Sequence, residues 1–310
     1  MIPDDSDAPR PGSEIGGRFR IDAEIGRGGM GMVYRATDRV LERPVAIKVL
    51  DAHNASDEEF VARFFNEAKI VARLSNNPYV VTIYDLGRDE RGRPYLVMEL
   101  LPGDSVRAML RRWSRPGRSY VVELGTHVAA ALHDAHLRGV IHRDLKPANI
   151  FEMQAPGLPS LFKVLDFGLA RAASRPLSPE HATRVGHFFG TPRYISPELF
   201  TGVPLTPAAD VYALGLVLYE VATGRFPYGE MRSAVDYVQA HLDAEPDGFP
   251  EVEEVESWGW QRFGEDFADL VLAMLRKKPE DRPSSHEVLR RLTTMQERML
   301  TEPKPAPPPA

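Results

Sequence analysis

Apolar residues follow two different periods along this chain. In residues 18–101 they alternate with polar ones or run in short β-branched stretches, at 19–25, 33–36, 44–50, 81–86 and 95–100. That is the pattern of strands buried on one or both faces. One segment departs from it. In residues 58–74, Phe60, Phe64, Val71 and Leu74 recur at helical spacing, which predicts an amphipathic helix. Beyond Pro102 and Gly103 the helical period dominates, at 120–138, 207–223, 267–277 and 284–300. Strands followed by helices predict an α+β fold of two lobes joined near residues 99–103. The small lobe, 18–101, is mainly antiparallel β with one key helix; the larger lobe, 102–299, is mainly helical. Residues 1–17, with Pro3, Pro9 and Pro11 among acids, and 300–310, with five prolines, read as a disordered tail and a Pro-rich tail or linker.

Composition narrows the class. Hydrophobic residues make up 43% and charged ones 26% of 310, inside the globular range. No uninterrupted apolar run approaches the ~18 residues of a membrane span. Met1, Ile2, Pro3, Asp4 and Asp5 offer neither the basic nor the apolar region of a signal peptide. The absence of cysteine excludes disulfides, thiolate metal sites and a cysteine nucleophile. A net charge of −6 argues against general nucleic-acid binding. The expectation is a cytoplasmic protein with no membrane segment in this chain and no nucleic-acid partner. The charge itself is local: seven carboxylates and no Lys or Arg fall in residues 243–256, so the rest nets +1. Such a run is ordinarily a solvated loop; a docking surface for basic partners is the sharper alternative.

Three constellations carry candidate chemistry. Ile25-Gly26-Arg27-Gly28-Gly29-Met30-Gly31 contains G-x-G-x-x-G, but a strand-like Met32-Val33-Tyr34 follows rather than the helix of a dinucleotide site. No Gly-Lys-Ser/Thr of a Walker loop is present. What remains is a strand–loop–strand flap whose backbone amides can approach phosphate, or a plain glycine-rich hairpin. In Val45-Ala46-Ile47-Lys48-Val49, alternation puts Ala46 and Lys48 on one face. Glu67 falls inside the apolar stripe of the 58–74 helix, where a carboxylate is costly without a partner, and Lys48 is the natural one. Finally, His142-Arg143-Asp144-Leu145-Lys146-Pro147-Ala148-Asn149 is followed seventeen residues later by Asp166-Phe167-Gly168. Asn149 and Asp166 offer oxygen ligands suited to magnesium, leaving Asp144 to orient a hydroxyl and take its proton.

In this order, with Ser196-Pro197-Glu198 after them, the motifs resemble a eukaryotic-type protein kinase domain over roughly residues 18–299, most similar to bacterial serine/threonine protein kinases. The resemblance implies ATP with Mg2+ (Mn2+ as an alternative) and protein substrates. It implies that Lys48 holds the α- and β-phosphates with Glu67 orienting it, and that Lys146 neutralises the γ-phosphate. Asp144 is then the proton acceptor, with Asn149 and Asp166 as metal ligands. Nucleotide contacts follow at Ile25, Gly26, Gly28, Gly31, Val33, Ala46 and Phe151, with Met98 as gatekeeper, Glu99 and Leu101 through their backbone, and Asp104 at the ribose. Lys146 and Thr191 resemble serine/threonine rather than tyrosine kinases. Arg143 implies regulation by phosphorylation in the segment that follows, with Thr183 expected as an autophosphorylation site. Glu198 is expected to pair with Arg282, and Asp210 to brace the catalytic loop. Relatives commonly dimerise through the N-terminal lobe, which adds a homodimer to the expected partners. An ATP-binding pseudokinase scaffold is the alternative function; a small-molecule phosphotransferase fits the segment from Thr191 to Glu198 poorly.

Overall fold

The computed structural model describes residues 8–28, 30–112, 116–154, 159–167, 192–249 and 265–301. Six strands, β1 (Glu14–Ile15), β2 (Phe19–Gly28), β3 (Gly31–Asp38), β4 (Arg43–Leu50), β5 (Ile83–Arg88) and β6 (Pro94–Glu99), form one antiparallel sheet in the order β1-β2-β3-β4-β6-β5. Alternation along β4 sorts its side chains to two cores. Val45, Ile47 and Val49 pack with Phe19, Ile21, Tyr34 and Tyr95, whereas Ala46 packs with Phe60, Phe64 and Met98. Helix α1 (Ala52–Ala55) leads into α2 (Glu58–Ala72), which supplies that second core. Asp57 starts α2 by accepting the N–H groups of Glu59 and Phe60, as an N-cap acid should. Burying Phe64 completely stabilises the lobe by roughly 1.5–3 kcal/mol.

The strand predicted at 81–86 begins only at Ile83. Val80 and Val81 leave the sheet to bond across the lobes: Val81 N–H donates to Val164 O at 3.0 Å and Val164 N–H to Tyr79 O at 2.8 Å. Val164 ends the second sheet, in which β7 (Gly103–Ser105), β8 (Ile150–Met153) and β9 (Leu161–Val164) pair antiparallel in sequence order. The two lobes are therefore joined by the chain at 99–103 and by this backbone ladder.

Helices α3 (Val106–Arg112) and α4 (Arg118–Leu137) follow β7. The helix Ala208–Thr223 has 14 of its 16 residues buried, as an all-round apolar helix must. It forms the axis of the larger core, against α4 and Glu265–Met274, and the last helix, Ser285–Thr301, packs on α4. Ser284 caps that last helix through a bond from Glu287 N–H at 3.2 Å. Among the described residues no helix is long and apolar enough to cross a membrane.

Candidate active site

The glycine flap is the hairpin of β2 and β3, and its glycines have different reasons to be there. Gly31 has φ +149°, and a Cβ on it would lie 2.0 Å from Val49 O. Only glycine lets β3 close on β4 at that point. A Cβ on Gly28 would meet nothing within 4 Å, and one on Gly26 only Val33 Cβ at 3.8 Å. Those two leave open space over the cleft, where a phosphate could approach the backbone. Ile25 is exposed at the flap, Val33 and Phe151 are half-buried, and Ala46 and Met98 are buried as register neighbours on β4 and β6. Glu99 N–H donates to Thr82 O at 3.0 Å, while Leu101 N–H bonds to no backbone carbonyl among the described residues. Asp104 lies on β7, where its carboxylate is engaged by Arg112 Nη1 at 2.6 Å.

Lys48 points into the cleft as alternation requires, but its partner differs from the expected one. Its ammonium donates to Asp166 Oδ1 at 2.9 Å. Among the described residues no ion pair joins it to Glu67. The stripe reading of Glu67 holds, since it is buried on α2. The choice of carboxylate was not local: Asp166, with left-handed backbone at φ +57°, lies 118 residues beyond Lys48 in sequence. Desolvation pushes the Asp166 carboxyl up. The Lys48 ammonium, by charge and hydrogen bond, with help from His142 and Lys146, nevertheless brings it below the ordinary carboxylate value.

Below the cleft, the loop carrying Asp144 is held from several sides. Asp210, in the first turn of Ala208–Thr223 and buried, accepts His142 N–H at 2.7 Å and Arg143 N–H at 2.9 Å. These bonds fix Arg143 in a left-handed conformation, φ +68°. His142 is fully buried; its Nε2 donates to Leu165 O at 2.8 Å and its ring packs on Phe167 at 4.7 Å. Asp144 N–H then donates to His142 Nδ1 at 3.2 Å. Asn149 Nδ2 donates to Asp144 O at 2.8 Å and to Asp144 Oδ2 at 3.1 Å, and Lys146 Nζ to the same Oδ2 at 2.7 Å. The Asp144 carboxylate remains 40% exposed, so a hydroxyl can reach it. Asn149 donates through its nitrogen, and its amide oxygen accepts no bond among the described residues. With Asp166 it offers two oxygen donors to a hard divalent cation.

The pair expected further along forms as two parallel hydrogen bonds, buried in the core: Arg282 Nη1 and Nη2 to Glu198 Oε1 and Oε2 at 2.8 and 2.9 Å. Gly168, Thr183 and Thr191 lie outside the described residues, as do the carboxylates of the acidic run from Glu251 onward.

Two positions escaped sequence reading. Lys163, three residues before Asp166, donates to Glu99 Oε1 at 2.6 Å, and the same oxygen accepts Thr82 N–H at 2.7 Å. This pair, Lys163 buried and Glu99 half-buried, ties the connection between the lobes to the strand leading into Asp166. Nothing in the sequence distinguishes Lys163 from an outward-facing strand lysine. His136, in the last turn of α4, bonds Asp210 Oδ2 through Nε2 at 2.8 Å. It follows Val128 and Leu132 at four-residue steps, so it carried the same signal as Glu67: a polar group inside an apolar stripe.

Comparison with known proteins agrees with this geometry. Residues 19–292 match the family model of the protein kinase domain. Serine/threonine-protein kinase pkn3 of Myxococcus xanthus is 39% identical over 279 residues, covering 90% of this chain and 50% of pkn3. Serine/threonine-protein kinase PknA of Mycobacterium tuberculosis is 35% identical over 292 residues, covering 89% of this chain and 66% of PknA. The chain thus spans about half to two thirds of these relatives' length. A crystal structure of the Mycobacterium tuberculosis PknI kinase domain shares the fold, with a TM-score of 0.68 at 24% identity over 94% of this chain and 100% of that one. The chain belongs to the protein kinase family, and the relatives named above are bacterial serine/threonine kinases.

Proposed function

We propose that this chain transfers the γ-phosphoryl group of Mg-ATP to serine or threonine hydroxyls of proteins. The observation that carries the reading is the Asp144 carboxylate, open to solvent on one side and fixed on the other by Lys146 and Asn149, in a loop braced by Asp210. The substrate oxygen attacks the γ-phosphorus as its proton passes to Asp144, and the bond from that phosphorus to the bridging oxygen breaks, leaving ADP. Lys146 balances charge on the transferred group and Lys48 on the remaining phosphates. Positioning and charge compensation supply most of the acceleration. Asn149 and Asp166 would hold Mg2+, or Mn2+ in its place, which when bound offsets the negative charge of the phosphate oxygens. The adenine edge is assigned to the backbone of Glu99 and Leu101, with Met98 behind it.

Support for a working enzyme over a pseudokinase is that Lys48, Asp144, Asn149 and Asp166 are all present. Regulation is assigned to autophosphorylation at Thr183; phosphopeptide mapping of wild type against Asp144→Asn tests it, equal phosphate in both being the contrary result. A homodimer through the small lobe is supported by exposed Val40, Leu41 and Tyr84. The test of the main reading is incubation with γ-labelled ATP, Mg2+ and a general acceptor protein, followed by phosphoamino-acid analysis. Label on serine and threonine, absent with Asp144→Asn, is expected; no incorporation, or label on tyrosine alone, overturns it.

A further inference from the structure

A continuous chain of buried hydrogen bonds runs from the last helix to the loop carrying Asp144. Ser285, the first residue of Ser285–Thr301, has its Oγ 2.9 Å from His136 Nδ1. The other ring nitrogen, Nε2, lies 2.8 Å from Asp210 Oδ2. That oxygen accepts His142 N–H and its twin accepts Arg143 N–H. Ser285, Asp210 and His142 are all buried, and the His136 side chain is only 6% exposed.

The chemistry of the four groups fixes the direction of the protons. An ionised carboxylate only accepts, so Nε2 must donate to Asp210. The Ser285 hydroxyl proton needs an acceptor, because a buried donor left unmade is costly. Among the described residues its bonding partner is His136 Nδ1. A neutral imidazole with the proton on Nε2 satisfies both ends; an imidazolium would leave the hydroxyl proton without an acceptor.

We propose that Ser285 is a positioning residue for phosphoryl transfer: by donating to Nδ1 it keeps that nitrogen unprotonated and fixes the plane of the His136 ring, so that Nε2–H stays on Asp210 Oδ2 and Asp210 keeps one oxygen on each backbone N–H of His142 and Arg143. Ser285 touches no reacting atom. Its effect reaches Asp144 through the backbone of the two preceding residues, one of which sits in the left-handed region and has no intrinsic preference for it. The inference rests on the kinase reading for its catalytic consequence, though not for the tautomer.

The test joins two readouts. Nitrogen-15 spectra of the full chain, with the His136 resonances assigned by comparison with His136→Asn, report the tautomer without reference to activity. Wild type is expected to show neutral, Nε2-protonated His136. Ser285→Ala is expected to lose that single state and to lower kcat about three- to tenfold, the factor of one neutral hydrogen bond, with KM for ATP and acceptor unchanged. Ser285→Thr, which keeps the hydroxyl, is expected to restore both. An unchanged tautomer and kcat in Ser285→Ala, or an imidazolium in wild type, overturns the proposal, as does a loss of kcat that Ser285→Thr fails to rescue. A wild type that transfers no phosphate while Ser285→Ala still loses the tautomer overturns the kinase reading and leaves the tautomer assignment standing.

Discussion

Below the cleft, the loop bearing Asp144 has its backbone bonded to Asp210, its side chain bonded to Lys146 and Asn149, and its His142 ring packed on Phe167. Above it, the flap looks onto open space at Gly28 and meets only Val33 at Gly26, and Lys48 reaches across to Asp166 rather than to Glu67 on its own lobe. Among the described residues the lower side is held by its own hydrogen bonds. The upper side carries charge that a nucleotide and a metal would redistribute, since Asp166 cannot serve Lys48 and a cation equally. On the proposed function, the lower side accepts a proton and needs one fixed geometry, whereas the upper side binds nucleotide and needs groups that can exchange partners.

Substitutions can break or sharpen this contrast. The largest effect belongs to the buried pair below the cleft. Arg282→Leu leaves Glu198 charged and unpartnered in the core and is expected to cost about 3–5 kcal/mol, read as a fall in the urea midpoint. A loss below about 1 kcal/mol would mean the lower side is less tightly determined than its geometry implies.

Acid is the next lever, and two histidines of the lower lobe respond to it. His127 and His241 are buried, and burial pushes each folded pKa down to about 4 from 6.5. Above pH 6.5 both states are neutral. Between pH 6.5 and 4 the unfolded chain takes up protons the folded chain refuses, so stability falls as pH drops. The loss approaches about 3 kcal/mol per histidine near pH 4. Denaturant midpoints measured over that range should fall steadily. Histidine resonances showing both rings protonated at pH 5.5 in the folded chain would refute this.

Within the flap, Gly31→Ala and Gly28→Ala separate structure from binding. The first forces a Cβ against Val49 O and is expected to lower stability by about 1–3 kcal/mol. The second meets nothing, so stability should move by less than about 0.5 kcal/mol while KM for ATP rises. Equal stability losses in the two would contradict the difference read from their surroundings. Lys163→Met leaves the Glu99 carboxylate with Thr82 N–H as its remaining partner among the described residues. It is expected to cost about 1–3 kcal/mol, at the lower end if water reaches Glu99. A melting temperature equal to wild type would place that pair among ion pairs of no net consequence.

Much of the scaffold was legible because it follows local period. Residues 44–50 told which side chains share a face, and the stripe of α2 exposed Glu67 as a buried acid. Partner choice was not legible, because Lys48 meets Asp166 only through the crossing of β9 under the sheet, 118 residues later in sequence. Helix α3 went unread since only Val106 and Met109 are buried among its arginines. The helix Ala234–Asp243 did carry a readable start, the capping box of Ser233 and Asp236. His136 had the same stripe signal as Glu67, but its partner lies on another helix, so the signal named the residue and not its role.

The most direct measurement is nucleotide affinity and phosphoryl transfer taken together on Asp144→Asn. If the lower side performs the proton step while the upper side holds ATP, affinity for Mg-ATP stays within about twofold of wild type and transfer falls about 10²- to 10⁴-fold. Transfer at the wild-type rate, or loss of nucleotide binding in parallel with transfer, would contradict that division of the cleft.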